Sequence, residues 1–77
     1  MDQLTPFGRM VRKIRIDRAI RLSEMADHMR VTPAFICSVE MGRVKIPEGW
    51  GKKITDFFQL SPTSEKELQE IINQARI

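Results

Sequence analysis

Three of the four prolines in the chain directly follow a residue that can cap a helix, and this pairing constrains the fold most strongly. The pairs are Thr5-Pro6, Thr32-Pro33 and Ser61-Pro62. Proline is favoured at the first helical position, because the N–H that it lacks has no partner inside the helix there. A preceding hydroxyl accepts a hydrogen bond from the first turn. The pairs predict three helix starts, and Pro47, which follows Ile46, predicts a fourth without a side-chain cap.

Apolar residues recur at helical spacing along the chain, and no segment alternates with a period of two. The stripes are Phe7, Met10, Val11 and Ile14; Leu22, Met25, Ala26 and Met29; Ile36 and Val39; Trp50, Ile54, Phe57 and Phe58; and Leu68, Ile71, Ile72 and Ala75. Gly42 is placed to end the third helix in the left-handed conformation. The pattern predicts an all-α domain spanning residues 1–77, with its core in 5–60 and a C-terminal helix at about 62–76.

Two boundaries stay open at this point. Ser64 and Glu67 also fit a capping box, so the last helix begins at residue 62 or at residue 65. No glycine or proline lies between Ile14 and Leu22, and one long helix would fit positions 7–29 equally well. We favour a break within residues 19–21, because small domains use shorter helices. The prediction is then a compact bundle of five helices.

Composition excludes several classes of protein. The 77 residues suit one small domain. No run approaches the roughly 20 apolar residues of a membrane span, and the N-terminus lacks a secretory signal, so we expect a cytoplasmic protein. The single cysteine, Cys37, and the single histidine, His28, make neither a disulfide nor a metal cluster. No catalytic constellation is visible, so we expect no enzymatic activity, metal or cofactor.

Charge is concentrated near the N-terminus. The whole chain carries a formal charge of +3, whereas residues 9–21 hold six cations against Asp17 alone. A basic block of this kind is the electrostatic footprint of a protein that meets phosphates. An ordinary solvated helix face is the alternative interpretation.

The segment 25–43 resembles the lambda-repressor-like helix-turn-helix family, of the xenobiotic-response-element type. The family's positions fall on Ala26 (the small residue of the first motif helix), Val31 (the turn hydrophobe), Ile36 (the buried isoleucine), and Glu40 and Gly42 (the Glu-x-Gly ending). The likeness runs from about residue 7 to residue 60. It implies a helix-turn-helix formed by helices 2 and 3, with a partly buried ion pair between Arg15 and Glu40.

The sequence departs from this family at two places. Arg30 stands where many members have a turn glycine, so it must either adopt a left-handed conformation at a cost of about 1–2 kcal/mol or alter the turn. Arg21 and Leu22 replace the usual Ser/Thr-Gln start of helix 2, which removes a side-chain cap and a common phosphate contact.

By the resemblance, helix 3 is the recognition helix, which lies with its N-terminal residues in the major groove. Pro33, Ala34 and Ser38 fall on base-facing positions, and Thr32 on the phosphate-contacting cap. Residues 32–39 include no Arg, Lys, Asn or Gln, which excludes bidentate contacts with guanine or adenine. We therefore expect Ala34 and Phe35 to touch thymine methyl groups and Ser38 to bond a base edge. A face buried against protein is the alternative.

The resemblance also places Arg43 and Lys45 in a loop that meets the DNA backbone or the minor groove. Further cations are either phosphate contacts or solubilising charges: Arg9, Arg12, Lys13, Lys52 and Lys53. His28 is expected at the surface, and Cys37 as a packed thiol, with a redox switch as the alternative.

Proteins of this type bind as dimers on two half-sites about one turn of DNA apart. We expect the C-terminal segment to form the dimer surface together with helix 4; the alternative is that this segment only closes the core of its own protomer. The residues in question are Leu68, Ile71, Ile72, Ala75 and Ile77.

The resulting hypothesis is a homodimeric duplex-DNA-binding repressor of a phage, plasmid or other mobile element, which acts by promoter occlusion. Two alternatives stay open. One is an antitoxin or adaptor that binds a protein through the apolar face of helix 3, and the other is a restriction-modification controller that also activates.

Overall fold

The chain folds into helices joined by short turns, as seen in a computed structural model that describes residues 4–75. Within that range the helices are α1 (Pro6–Asp17), α2 (Leu22–Met29), α3 (Pro33–Glu40), α4 (Trp50–Phe58) and α5 (Pro62–Ala75). The described residues contain no strand, so the all-helical prediction is confirmed there. None of these helices combines the length and the apolar character that a membrane crossing requires.

Three helices begin at the predicted caps. The hydroxyls of Thr5, Thr32 and Ser61 each accept a hydrogen bond from the backbone N–H three residues later, at 3.1, 3.1 and 3.2 Å. The last helix begins at Pro62, which decides between the two predicted starts. At these positions the short polar side chain satisfies a backbone donor that the helix itself leaves free.

The predicted start of the fourth helix at Pro47 is wrong. The helix begins at Trp50, whose N–H donates to the Pro47 carbonyl at 3.3 Å across a turn. Gly49 stands between them with a φ of 81°, a left-handed conformation that interrupts a helical path. The side chain of Ile46 has no oxygen that could cap a helix start at residue 47.

The first four helices all end in the same left-handed turn. The residue that takes a positive φ is Ala19 (55°), Arg30 (61°), Gly42 (77°) or Gln59 (53°). The next N–H donates to the carbonyl five residues earlier, at 2.9–3.0 Å, which is the Schellman arrangement. The break within residues 19–21, the left-handed Arg30 and the Gly42 helix end are thereby confirmed.

All five helices contribute to one core. α1 packs against α3 and α5, α2 against α3 and α4, and α4 against α5. The buried apolar residues are Phe7, Val11, Met25, Ala26, Met29, Ile36, Val39, Trp50, Ile54, Phe58, Leu68 and Ile72. Ala26 is 1% exposed, in agreement with the small residue expected where α2 meets α3.

The closest approach in the fold joins α1 to the end of α3. A Cβ built on Gly8 would overlap the backbone of Glu40, with the carbonyl oxygen as the nearest atom and the carbonyl carbon at 2.9 Å. Backbone atoms of a packed helix do not move aside cheaply, so this position requires glycine. This contact was not predictable from the sequence, because an isolated glycine inside a helix predicts only a weaker helix.

We predict that Gly8→Ala lowers the free energy of unfolding by about 1–3 kcal/mol, because overpacking outweighs the better helix propensity of alanine. Urea denaturation followed by circular dichroism measures the change. Gly51→Ala is the matched control, since its Cβ meets chiefly the mobile end of Gln69, at 2.9 Å. We expect a smaller change for the control, and equal losses for both variants would contradict the prediction.

Candidate nucleic-acid interface

A fully buried carboxylate fixes the C-terminal end of α3. The Glu40 side chain is 0% exposed and accepts hydrogen bonds from the Nη2 atoms of Arg12, at 3.1 Å, and Arg15, at 3.4 Å. The structure thus contains the Arg15–Glu40 pair implied by the resemblance and adds Arg12. Arg12, expected among the phosphate contacts or solubilising charges, is instead engaged in the fold. Its position three residues before Arg15, on the same helix face, was the available signal.

The backbone reinforces this junction. The Thr5 N–H and the Thr5 hydroxyl both donate to the Glu40 carbonyl oxygen, at 3.1 and 2.8 Å. A carbonyl in the last turn of a helix has no partner inside that helix, so these bonds satisfy a group that would otherwise be buried and unpaired. The N-terminus of α1 thereby holds the C-terminus of α3.

The opposite end of α3 lies at the surface. Thr32, Pro33 and Ala34 are exposed, and Ser38 is half-buried one turn beyond Ala34. Cys37 and Met41, also half-buried, stand three and seven residues after Ala34. Residues at this spacing share one side of a helix, and we call this set, Ala34, Cys37, Ser38 and Met41, the α3 face. The sequence prediction did not include Met41, and it took Cys37 as a packed thiol with a redox switch as the alternative.

Phe35 is not placed as the sequence predicted. Its half-buried ring packs edge-on against the buried Trp50, with the ring centroids 5.9 Å apart and the planes at 74°. Phe35 follows Ala34 by about 100° around the helix, so the two side chains point in different directions. Phe35 therefore helps to hold α3 against α4, and its expected contact with thymine methyl groups stays a prediction.

The loop after α3 is fixed to the end of that helix by main-chain hydrogen bonds. The backbone N–H groups of Arg43 and Val44 donate to the Ser38 carbonyl at 2.9 and 3.4 Å. Arg43 and Lys45 are exposed, so two cationic side chains leave this loop from a backbone fixed beside Ser38. Exposed Arg30, in the turn before Thr32, adds a cation at the start of α3.

The other predicted cations are exposed at several places on the surface. Arg9 donates to the Leu4 carbonyl at 3.2 Å, and Lys13 is exposed on the same helix. Lys52 pairs with Asp56 at 3.7 Å along α4, while Lys53 is exposed.

The predicted dimer residues divide into two groups. Leu68 and Ile72 are 0% and 2% exposed, because they close the core of their own protomer, and a dimer surface built on them is a wrong prediction. Ile71 is half-buried and Ala75 is exposed, so both stay accessible. Ile77 lies outside the described residues.

His28 lies at the junction of α2 and α4. The exposed His28 ring stacks on Phe57 with 4.6 Å between centroids, which connects α2 to α4. Across residues 4–75, no three His, Cys, Asp or Glu side chains are grouped to hold a metal ion.

No protein-family model, curated protein or solved structure matches this chain significantly. The residues of this site combine an anchored helix end, the α3 face, which is exposed at Ala34 and half-buried at its other members, and exposed cations beyond both ends of α3.

We predict that Glu40→Gln lowers the free energy of unfolding by about 3 kcal/mol, because Arg12 and Arg15 lose the charge that they share. Urea denaturation measures the loss. Lys52→Ala, which breaks an exposed pair with side chains 84% and 62% exposed, is the control and should change stability by less than about 1 kcal/mol. A comparable loss in both variants would show that burial does not decide the contribution of Glu40.

Proposed function

We propose that this chain is a duplex-DNA-binding transcriptional regulator of the lambda-repressor-like helix-turn-helix type. In this proposal it acts as a homodimeric repressor that occludes a promoter of a phage, plasmid or other mobile element. Helices α2 and α3 form the helix-turn-helix motif, Arg30 lies in the turn between them, and α3 enters the major groove.

One observation carries the proposal: the backbone N–H groups of Arg43 and Val44 bond to the Ser38 carbonyl, so the loop with exposed Arg43 and Lys45 starts from a fixed turn directly at the end of α3. A helix that enters a groove needs cations at its flank, because contacts with phosphates supply affinity and fix the register of the protein on DNA. Arg30 supplies such a charge at the other end of α3. The α3 face therefore lies between cations, as groove binding requires.

Thr32 fits the proposed role at the DNA backbone. Its hydroxyl oxygen accepts from the Phe35 N–H at 3.1 Å, which leaves the hydroxyl proton free to donate. A phosphate oxygen at the start of α3 would accept this proton and would meet the positive end of the helix dipole.

The α3 face supplies apolar contacts and one hydroxyl. Ala34, Cys37 and Met41 suit the C5-methyl group of thymine, and Ser38 can bond either kind of base edge. Such contacts discriminate weakly at each base pair. Much of the specificity in this proposal therefore comes from the sequence-dependent shape of the DNA.

The same face supports the alternative function, an antitoxin or adaptor that binds a protein. The absence of Arg, Lys, Asn and Gln from residues 32–39 favours it. A protein partner would cover the α3 face with apolar groups, and its affinity would depend weakly on salt. A restriction-modification controller would use the same DNA contacts and differ in where its operator lies.

In vitro selection of the purified protein on random duplex DNA tests the proposal. We expect enrichment of a palindrome whose half-sites are about one helical turn apart. Failure to enrich any motif would contradict a sequence-specific role and would direct the search to a protein partner of the α3 face.

We predict that Arg43→Ala and Lys45→Ala each weaken binding to every duplex by a similar factor, because phosphate contacts carry no sequence information. Each should make the log-log dependence of affinity on salt shallower by about 0.9. Titrations by fluorescence anisotropy at several salt concentrations measure the slope. Lys66→Ala, an exposed cation of α5, is the control and should leave it unchanged.

We also predict that replacing contacted thymines by uracil weakens binding about fourfold per methyl group, since burying a group of that size contributes about 0.8 kcal/mol. Uracil and thymine offer the same hydrogen-bonding groups, so the replacement removes only the methyl group. Thymines outside the half-sites serve as controls. Equal affinity after every replacement would show that the α3 face does not read methyl groups.

A further inference from the structure

A groove of about 420 Å³ runs between α1 and α5. Half-buried Met10, Ile14 and Ile71 form its apolar floor. The groove continues past Pro6 and Ile71 into a second hollow of about 190 Å³, which Ala75 also lines. We call these two hollows together the α1–α5 groove.

The two walls of the α1–α5 groove carry opposite charges. Exposed Arg9 and Lys13 line the α1 wall, with Asp17 at its far end, and exposed Glu67 lines the α5 wall. Among residues 4–75 the ion pairs join other residues: Arg12 and Arg15 with Glu40, and Lys52 with Asp56. The groove therefore presents an apolar floor between a mainly basic wall and an acidic wall that form no ion pair with each other.

We infer that the α1–α5 groove is the surface on which a second copy of this chain docks, with the α1 wall of each protomer against the α5 wall of its partner. A two-fold axis makes each contact twice, because the same patch of both subunits is used. Arg9 and Lys13 of one protomer then face Glu67 of the other. The inference rests on the dimer in the proposed function and assigns its interface.

Two observations favour a second copy over a different partner. A uniformly acidic or basic peptide would meet repulsion at one wall, whereas a two-fold axis that runs along the groove places each wall against its opposite. In addition, Ile71 and Ala75, the two predicted dimer residues within the described range that the core leaves accessible, both line this groove.

The apolar area at the α1–α5 groove extends onto the adjoining face of α1. A standard interface buries roughly 800 Å² per partner, about one seventh of the 5,380 Å² of this protein's surface. Ile16, 67% exposed on the adjoining face of α1 beside Lys13, extends the apolar area available.

Charge reversal across the groove tests the inference in the absence of DNA. Arg9→Glu combined with Lys13→Glu gives two acidic walls, and Glu67→Lys gives two basic walls. Each variant alone should dissociate at least about tenfold more readily than the original protein, because attraction becomes repulsion at two symmetric contacts. An equimolar mixture should recover the original affinity, since both contacts of the heterodimer again join opposite charges.

Sedimentation equilibrium measures the association, and thermal unfolding of each variant confirms that it folds. Lys66→Glu changes a charge on α5 outside the groove and should leave association unchanged. A mixture that stays as monomeric as its components would overturn the inference, because a charge effect inside one protomer does not respond to mixing.

A second measurement uses the original chain and depends on no variant. Amide NMR spectra recorded from millimolar to low micromolar concentration should show shifts confined to α1 and α5. A monomer at millimolar concentration, or shifts confined to α2 and α4, would overturn the inference. Both measurements of association are made without DNA. A result that overturns this interface therefore leaves the proposed DNA binding to be tested by the selection experiment.

Discussion

The rest of the structure depends on the ion pairs that the buried carboxylate of Glu40 makes with α1. The carboxylate lies at 0% exposure, so its charge is stabilised almost entirely by Arg12 and Arg15 of α1. The main chain at the same residue accepts two hydrogen bonds from Thr5, and the absence of a side chain at Gly8 lets the helices approach. Charge, hydrogen bonding and close packing therefore meet at one residue, and each requires the α1–α3 geometry that the others impose.

This junction determines what α3 can present to a partner. α3 is only eight residues long, and isolated helices of that length are unstable in water. Its C-terminal end is held by α1, and Phe35 holds its N-terminal turn against Trp50 of α4. The remaining side, with Ala34 and Ser38, is left accessible on a rigid support. Side chains this short lose little conformational entropy on contact, so the support does much of the positioning.

Sequence signals that act over a few residues predicted much of the fold. Caps and prolines gave the starts of α1, α3 and α5, because each depends on neighbours in the chain. The predicted start of α4 at Pro47 was wrong, since the residue before this proline has no side-chain cap. Contacts between residues distant in the sequence were harder to predict. Arg12 and Glu40, for example, are 28 positions apart. Helical periodicity also does not tell whether Leu68 faces the core of its own protomer or another protomer. The resemblance identified Arg15 as the partner of Glu40, whereas the positions of Phe35 and Met41 became known only from the structure.

The left-handed helix ends have a consequence for how stability is distributed. Ala19, Arg30 and Gln59 adopt a conformation that costs a residue with a Cβ about 1 kcal/mol or more, and all three are exposed. Together they offset a substantial part of the 5–15 kcal/mol typical of a folded domain. Ala19 and Gln59 lie outside the α3 face and the α1–α5 groove. Glycine at Ala19 or Gln59 would relieve this strain without altering a proposed contact. The stability of the fold can therefore be raised independently of its proposed binding surfaces.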